Sequence, residues 1–161
     1  MADQSSDRLQ RYLSREGIAA LERLGEGKDG AVWRTSRWSA VKIHERPESY
    51  RAERNAYIRL QQVGLTEIAG FTIPILLSYD DENLVIEMEI VTPPYVVDFA
   101  SARLDLPDDL IEDEGHTLAD MIRDRFDERA DEVIALCDEL ASAAGIYLTD
   151  VHRHNIKFAG E

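Results

Sequence analysis

Three groups of residues in this chain are equipped for chemistry: Gly25, Gly27 and Gly30 with Lys42 close behind them, Glu53, and the run Asp150-x-His152-x-x-Asn155. Glycines at a G-x-G-x-x-G spacing let a backbone approach a phosphate chain closely, and a nearby ammonium offsets its charge. A carboxylate such as Asp150 can orient or deprotonate a hydroxyl, and an amide oxygen such as that of Asn155 can ligate magnesium. Together these residue types suit phosphoryl transfer from a nucleotide.

Such groups act only if the chain positions them. The glycine motif fits a dinucleotide fold when a helix opens from it, and a different phosphate site when strands lie on both sides. Residues 32–43 carry Val32, Trp33, Trp38 and Val41 around a polar turn at Thr35-Ser36-Arg37, which predicts a hairpin with Lys42 on the strand beside the glycine loop. The plain alternative is a glycine-rich surface hairpin with a solvated lysine. Residues 47–63 read as a helix, with Pro47 near its start, Gly64 after its end, and Ala52, Ala56, Tyr57 and Leu60 on one stripe. Glu53 lies mid-helix, where it can reach Lys42, with Glu48 as a competing partner and ordinary exposure as the alternative. Residues 73–79 and 84–91 read as strands around the polar turn 80–83, completing an antiparallel five-stranded lobe. Thr92-Pro93-Pro94 ends the last strand. A nicotinamide-binding fold is excluded, because no βαβ unit follows the glycines.

Further on, residues 93–107 read as largely irregular, with 95–99 a short strand or packed turn. Residues 118–144 form one or two helices that turn Met121, Ile122, Phe126, Val133, Leu136, Cys137 and Leu140 to the core. Residues 145–158 read as a loop leading into a strand. The first fourteen residues are polar, which predicts either a mobile segment or, through Leu9, Tyr12 and Leu13, a short helix capping the first lobe.

In order and kind, Gly25, Gly27, Gly30, Val32, Lys42, Glu53, Asp150 and Asn155 resemble the signature of the protein-kinase-like superfamily. With His152, the Asp-x-His-x-x-Asn run is similar to the loop of aminoglycoside and other small-molecule phosphotransferases. The resemblance implies an α+β, two-lobed protein-kinase-like fold in one domain, with residues 15–91 as the N-lobe and 92–161 as a reduced helical C-lobe. It implies ATP and Mg as cofactors. It assigns Asp150, Lys42 and Glu53 to catalysis, the three glycines, Val32, Lys42, Glu89 and Val91 to the nucleotide, and Asn155 to the metal. Glu89, Ile90 and Val91 would line the hinge where adenine docks. The acceptor is expected to be a small molecule or an unusual protein. Two departures stand out: Leu148-Thr149 replaces the family's His-Arg, and no Asp-Phe-Gly segment follows Asn155. Magnesium would then rest on Asn155 with an unassigned carboxylate or histidine, or the chain would be a pseudokinase, a binding module without turnover.

Composition narrows the setting. With 44% hydrophobic residues in 161, the chain can bury a core. A net charge of -14, with 32 acids against 18 bases, excludes a nucleic-acid partner. Much of the excess lies in Asp108, Asp109, Glu112, Asp113, Glu114, Asp120, Asp124, Asp127, Glu128, Asp131 and Glu132, a solvated face or a funnel for a cationic acceptor. No apolar leader follows Met1 and no hydrophobic run suits a bilayer, so the expectation is cytoplasmic, with no membrane partner. Cys137 reads as a buried, inert thiol. Asp150, His152 and His154 form a second, weaker candidate for a zinc or manganese site.

Overall fold

The computed structural model describes residues 2–96, 98–105 and 118–161. Asp108, Asp109, Glu112, Asp113 and Glu114 of the acidic run lie outside them, while the rest of the run, from Asp120 to Glu132, is exposed.

Helix α1 (Ala2–Glu16) precedes three strands, β1 (Ala20–Gly27), β2 (Gly30–Thr35) and β3 (Ser39–His44). Helix α2 (Pro47–Val63) follows, then β4 (Glu67–Ile68), β5 (Phe71–Thr72), β6 (Leu76–Asp80) and β7 (Val85–Glu89). The expected antiparallel five-stranded sheet is present, in the order β1-β2-β3-β7-β6. Strand β3 is its centre and is buried at every position. Because side chains alternate across a strand, Val41 and Ile43 face one way and Lys42 and His44 the other. Val41 and Ile43 join Leu9, Tyr12, Leu13 and Val85 in a core under α1. The opposite face belongs to α2.

Helix α2 forms where its local signals put it. Proline opens it, Gly64 closes it at φ 73° with its N–H donating to the Gln61 carbonyl, and Tyr50, Ala56, Tyr57 and Leu60 are buried. Ala52 is only half-buried. Helix α1 is the longer form of the capping helix expected around Leu9, Tyr12 and Leu13, rather than a mobile segment or a short helix. Its few apolar residues suffice because a polar bond supports them: Tyr12 Oη donates to Glu87 Oε2 at 2.6 Å. Arg37 and Ser39 also donate to Glu87. Burial works against the Glu87 charge, but these donors outweigh it and hold the carboxyl below its usual range.

The second half contains β8 (Tyr95–Val96), β9 (Arg103–Leu104), α3 (Leu118–Phe126), a 3-10 turn (Asp127–Arg129), α4 (Ala130–Ala144), β10 (Ile146–Tyr147) and β11 (Ile156–Lys157). The expected helical stretch is therefore two helices. Their inward residues Ile122, Phe126, Val133, Leu136 and Leu140 share one core with Tyr57 and Ile86 of the first half. Cys137 is buried there, and burial pushes its thiol up to about 12. Strand β11 pairs antiparallel with β8, which pairs with β5. These two-residue strands carry no periodicity a sequence could display. No described helix is long and apolar enough to cross a membrane.

Glu87→Leu leaves Tyr12, Ser39 and Arg37 without their shared acceptor, and is expected to lower the unfolding free energy by about 2–3 kcal/mol in a urea titration at neutral pH.

Candidate functional site

The glycine hairpin is held in place by two local constraints. Gly30 has φ 148°, and a Cβ there would lie 2.0 Å from the Ile43 carbonyl oxygen, so only glycine permits β2 to approach β3 this closely. Its neighbour Asp29 accepts hydrogen bonds from Arg46 Nη2 at 2.8 Å and Ser49 Oγ at 2.9 Å, tying the turn to the start of α2. Apart from their chain neighbours, no described atom lies within 4 Å of where a Cβ would stand on Gly25 or Gly27, so the space on that side of each is clear.

Register alone directs Lys42 to the α2 face, where Glu53 waits. Lys42 Nζ donates to Glu53 Oε2 at 2.7 Å and to Asp98 Oδ1 at 3.1 Å. His44 Nε2 also lies 2.6 Å from Glu53 Oε2, and its Nδ1 faces the Leu84 carbonyl at 3.2 Å. Burial favours a neutral Glu53, but the Lys42 ammonium and the His44 bond outweigh it and bring the carboxyl down to about 2. Burial likewise disfavours the Lys42 charge, and Glu53 with Asp98 more than restores it. Asp98 shifts the opposite way: its own burial, then the Glu53 charge, raise its carboxyl above the usual range despite Lys42. One ammonium serves two carboxylates, and Glu53, fully buried, has the stronger hold.

Asp150 and Asn155 stand across from this pair on a loop braced by α3. Arg125 Nη1 donates to the Val151 carbonyl at 2.9 Å, and Arg153 Nε donates back to the Arg125 carbonyl at 2.8 Å. Asn155 Nδ2 donates to the Asp150 carbonyl at 2.8 Å. His152 Nε2 lies 2.9 Å from one oxygen of the Asp150 carboxylate. Its other oxygen receives Lys28 Nζ, from the hairpin tip, at 3.1 Å.

Hairpin, lysine and loop enclose a cleft of about 720 Å³ whose lining includes Gly25, Gly27, Gly30, Val32, Lys42, Asp150 and Asn155. Glu89 and Val91 do not line it. The Glu89 amide is already spent on the Ile75 carbonyl at 2.9 Å, and Tyr95 contributes a wall instead. Glu53 sits behind Lys42, fully buried. The alternative metal centre is not formed, since no group of three acidic, histidine or cysteine side chains fit to hold a metal occurs among the described residues. Sequence reasoning passed over Asp98, His44 and Lys28. The signal available for Asp98 was an acid directly before Phe99 and Ala100 at the end of a short β-branched run.

No family model matches the chain, and no curated protein matches it. Among solved structures, it is similar to the ternary complex of streptomycin, ATP and APH(2″)-IIa, with a TM-score of 0.42 and 19% identity. The match covers 53% of this chain and 28% of that one. So partial a likeness leaves the chemistry to be read from the side chains themselves.

Two outcomes are expected from the buried pair. Lys42→Met leaves two carboxylates without their cation and should cost about 3–5 kcal/mol in chemical denaturation at pH 7. Glu53, whose carboxyl lies near 2 when folded, contributes stability that is complete above its unfolded value of about 4.3 and is lost as pH falls toward 2. Denaturation from pH 6 to pH 2 should therefore show a shallower acid loss in Glu53→Gln than in the parent.

Proposed function

We propose that the chain is a protein-kinase-like phosphotransferase that binds ATP with magnesium in this cleft and phosphorylates a hydroxyl of a small molecule or an unusual protein. The observation that carries the reading is convergence: segments 25–30, 42 and 150–155, far apart in sequence, line one cleft. A two-lobed organisation, with residues 15–91 and 92–161 on either side of the cleft, belongs to the same reading.

Each residue has a task that its surroundings suit. Backbone N–H groups of the hairpin at Gly25, Gly27 and Gly30 cover the phosphates. Lys42 offsets the charge of the α- and β-phosphates, held toward them by Glu53, which His44 holds in turn. Val32 and Tyr95 supply walls for the base. The acceptor oxygen attacks the γ-phosphorus as the bond to the β–γ bridging oxygen breaks, ADP departs, and the acceptor proton passes to Asp150. Asn155 suits magnesium, because Nδ2 is committed to the Asp150 carbonyl and Oδ1 is left as a hard oxygen ligand. When bound, magnesium would neutralise charge on the phosphate oxygens.

A second reading, a nucleotide-binding or protein-interaction module without turnover, draws on the Lys28–Asp150 pair. It occupies the carboxylate that the transfer would need.

Thermal melting with saturating Mg-ATP tests binding: at a hundred times the dissociation constant, about 2.7 kcal/mol is added, a rise of roughly 5–10 °C in Tm. No rise would end the nucleotide reading. ATP consumption in the presence of candidate hydroxyl acceptors should fall by about 10²–10⁴ in Asp150→Asn, and equal rates would favour the module.

A further inference from the structure

A polyphosphate entering this cleft meets carboxylates as well as lysines. Lys42 already divides its single charge between Glu53 and Asp98, so the centre formed by those three groups carries one net negative charge. A second cation is needed if phosphate is to sit beside them, since like charges in a partly buried site repel strongly at short range.

The backbone delivers to the cleft two oxygens that no described residue bonds. Strand β11 pairs antiparallel with β8, Ile156 opposite Val96 and Lys157 opposite Tyr95. Asn155 immediately precedes β11 and Asp98 follows β8, so the pairing brings both side chains to the same end of the ribbon, at the cleft. Asp98 receives Lys42 Nζ and the Ala100 N–H on Oδ1. No described residue bonds to its Oδ2, nor to Asn155 Oδ1. The Asp98 side chain is 22% exposed, open to the cleft yet shielded from bulk water. A carboxylate and an amide oxygen, completed by phosphate oxygens and water, form the donor set that a hard, six-coordinate divalent cation takes.

We infer that Asp98, together with Asn155, would hold a divalent cation of the magnesium class, which would offset the charge of a bound nucleotide's phosphates. Asp98 is thus the unassigned carboxylate, supplied from upstream of the Asp150 loop. The assignment rests on the cleft being a nucleotide site.

The test uses Mn²⁺ as the probe and the non-hydrolysable analogue β,γ-imido-ATP, followed by the Mn²⁺ paramagnetic resonance signal and by calorimetry. The parent should take up Mn²⁺ with the analogue. In Asp98→Asn, Mn²⁺ affinity should fall by about tenfold or more, while metal-free analogue binds at least as tightly as in the parent, because a negative charge is gone. Equal Mn²⁺ affinity in parent and variant would overturn the inference. So would analogue binding by the parent that Mn²⁺ does not improve, with the nucleotide reading left standing. Failure of the parent to bind the analogue at all would remove that reading and this inference together. A measurement on the parent alone avoids any folding defect in the variant: with the analogue present, Fe²⁺ with ascorbate and peroxide should cut the backbone beside both 98 and 155. Cuts beside 155 without cuts beside 98 would overturn the role of Asp98.

Discussion

A single buried ammonium organises this protein. Lys42 is 5% exposed, yet keeps its charge because Glu53 and Asp98 surround it. Stripping a lysine of water costs several kcal/mol, and only close opposite charges offset that loss. Each partner reaches it by a different structural route. Glu53 comes from the middle of a helix fixed by a proline and a left-handed glycine, and Asp98 comes from the end of a two-residue strand. The lysine therefore links the sheet, the long helix and the second half of the chain at one point.

Around that point, polar and apolar constraints divide the work. The common core running from Tyr57 and Ile86 to Phe126 and Phe158 supplies nondirectional stabilisation, and it sets how closely the two halves approach. Direction comes from hydrogen bonds: Arg125 of α3 on the Val151 carbonyl of the loop, Arg153 of the loop on the Arg125 carbonyl, Asn155 on the Asp150 carbonyl, Tyr12 on Glu87. The exposed ion pairs, such as Lys28 with Asp150, add little stability and can exchange partners at small cost.

Sequence alone was most informative where signals are local. Helix α2 spans the expected residues because its ends are marked chemically, and the sheet hairpins are marked by turns and β-branched runs. Helix α1 was underestimated because Leu9, Tyr12 and Leu13 are sparse in a polar stretch, and its support from Glu87 is a tertiary fact. Glu89 and Val91 were expected at the cleft from a resemblance, whereas the bond from the Glu89 amide to the Ile75 carbonyl, just ahead of β6, has no local signature. Asp98 was invisible for a similar reason. A search downstream of Asn155 for an acid followed by Phe and a small residue misses Asp98-Phe99-Ala100, which short-strand pairing brings in from upstream.

The anchoring of Asp29 to Arg46 and Ser49 has a mechanical consequence. With Gly30 pressed against β3 and Asp29 bonded to the helix, the β2 side of the hairpin is anchored twice, whereas β1, at the edge of the sheet, pairs with β2 alone. Displacing β1 would break its ladder with β2 and leave the Asp29 anchor and β3 in place.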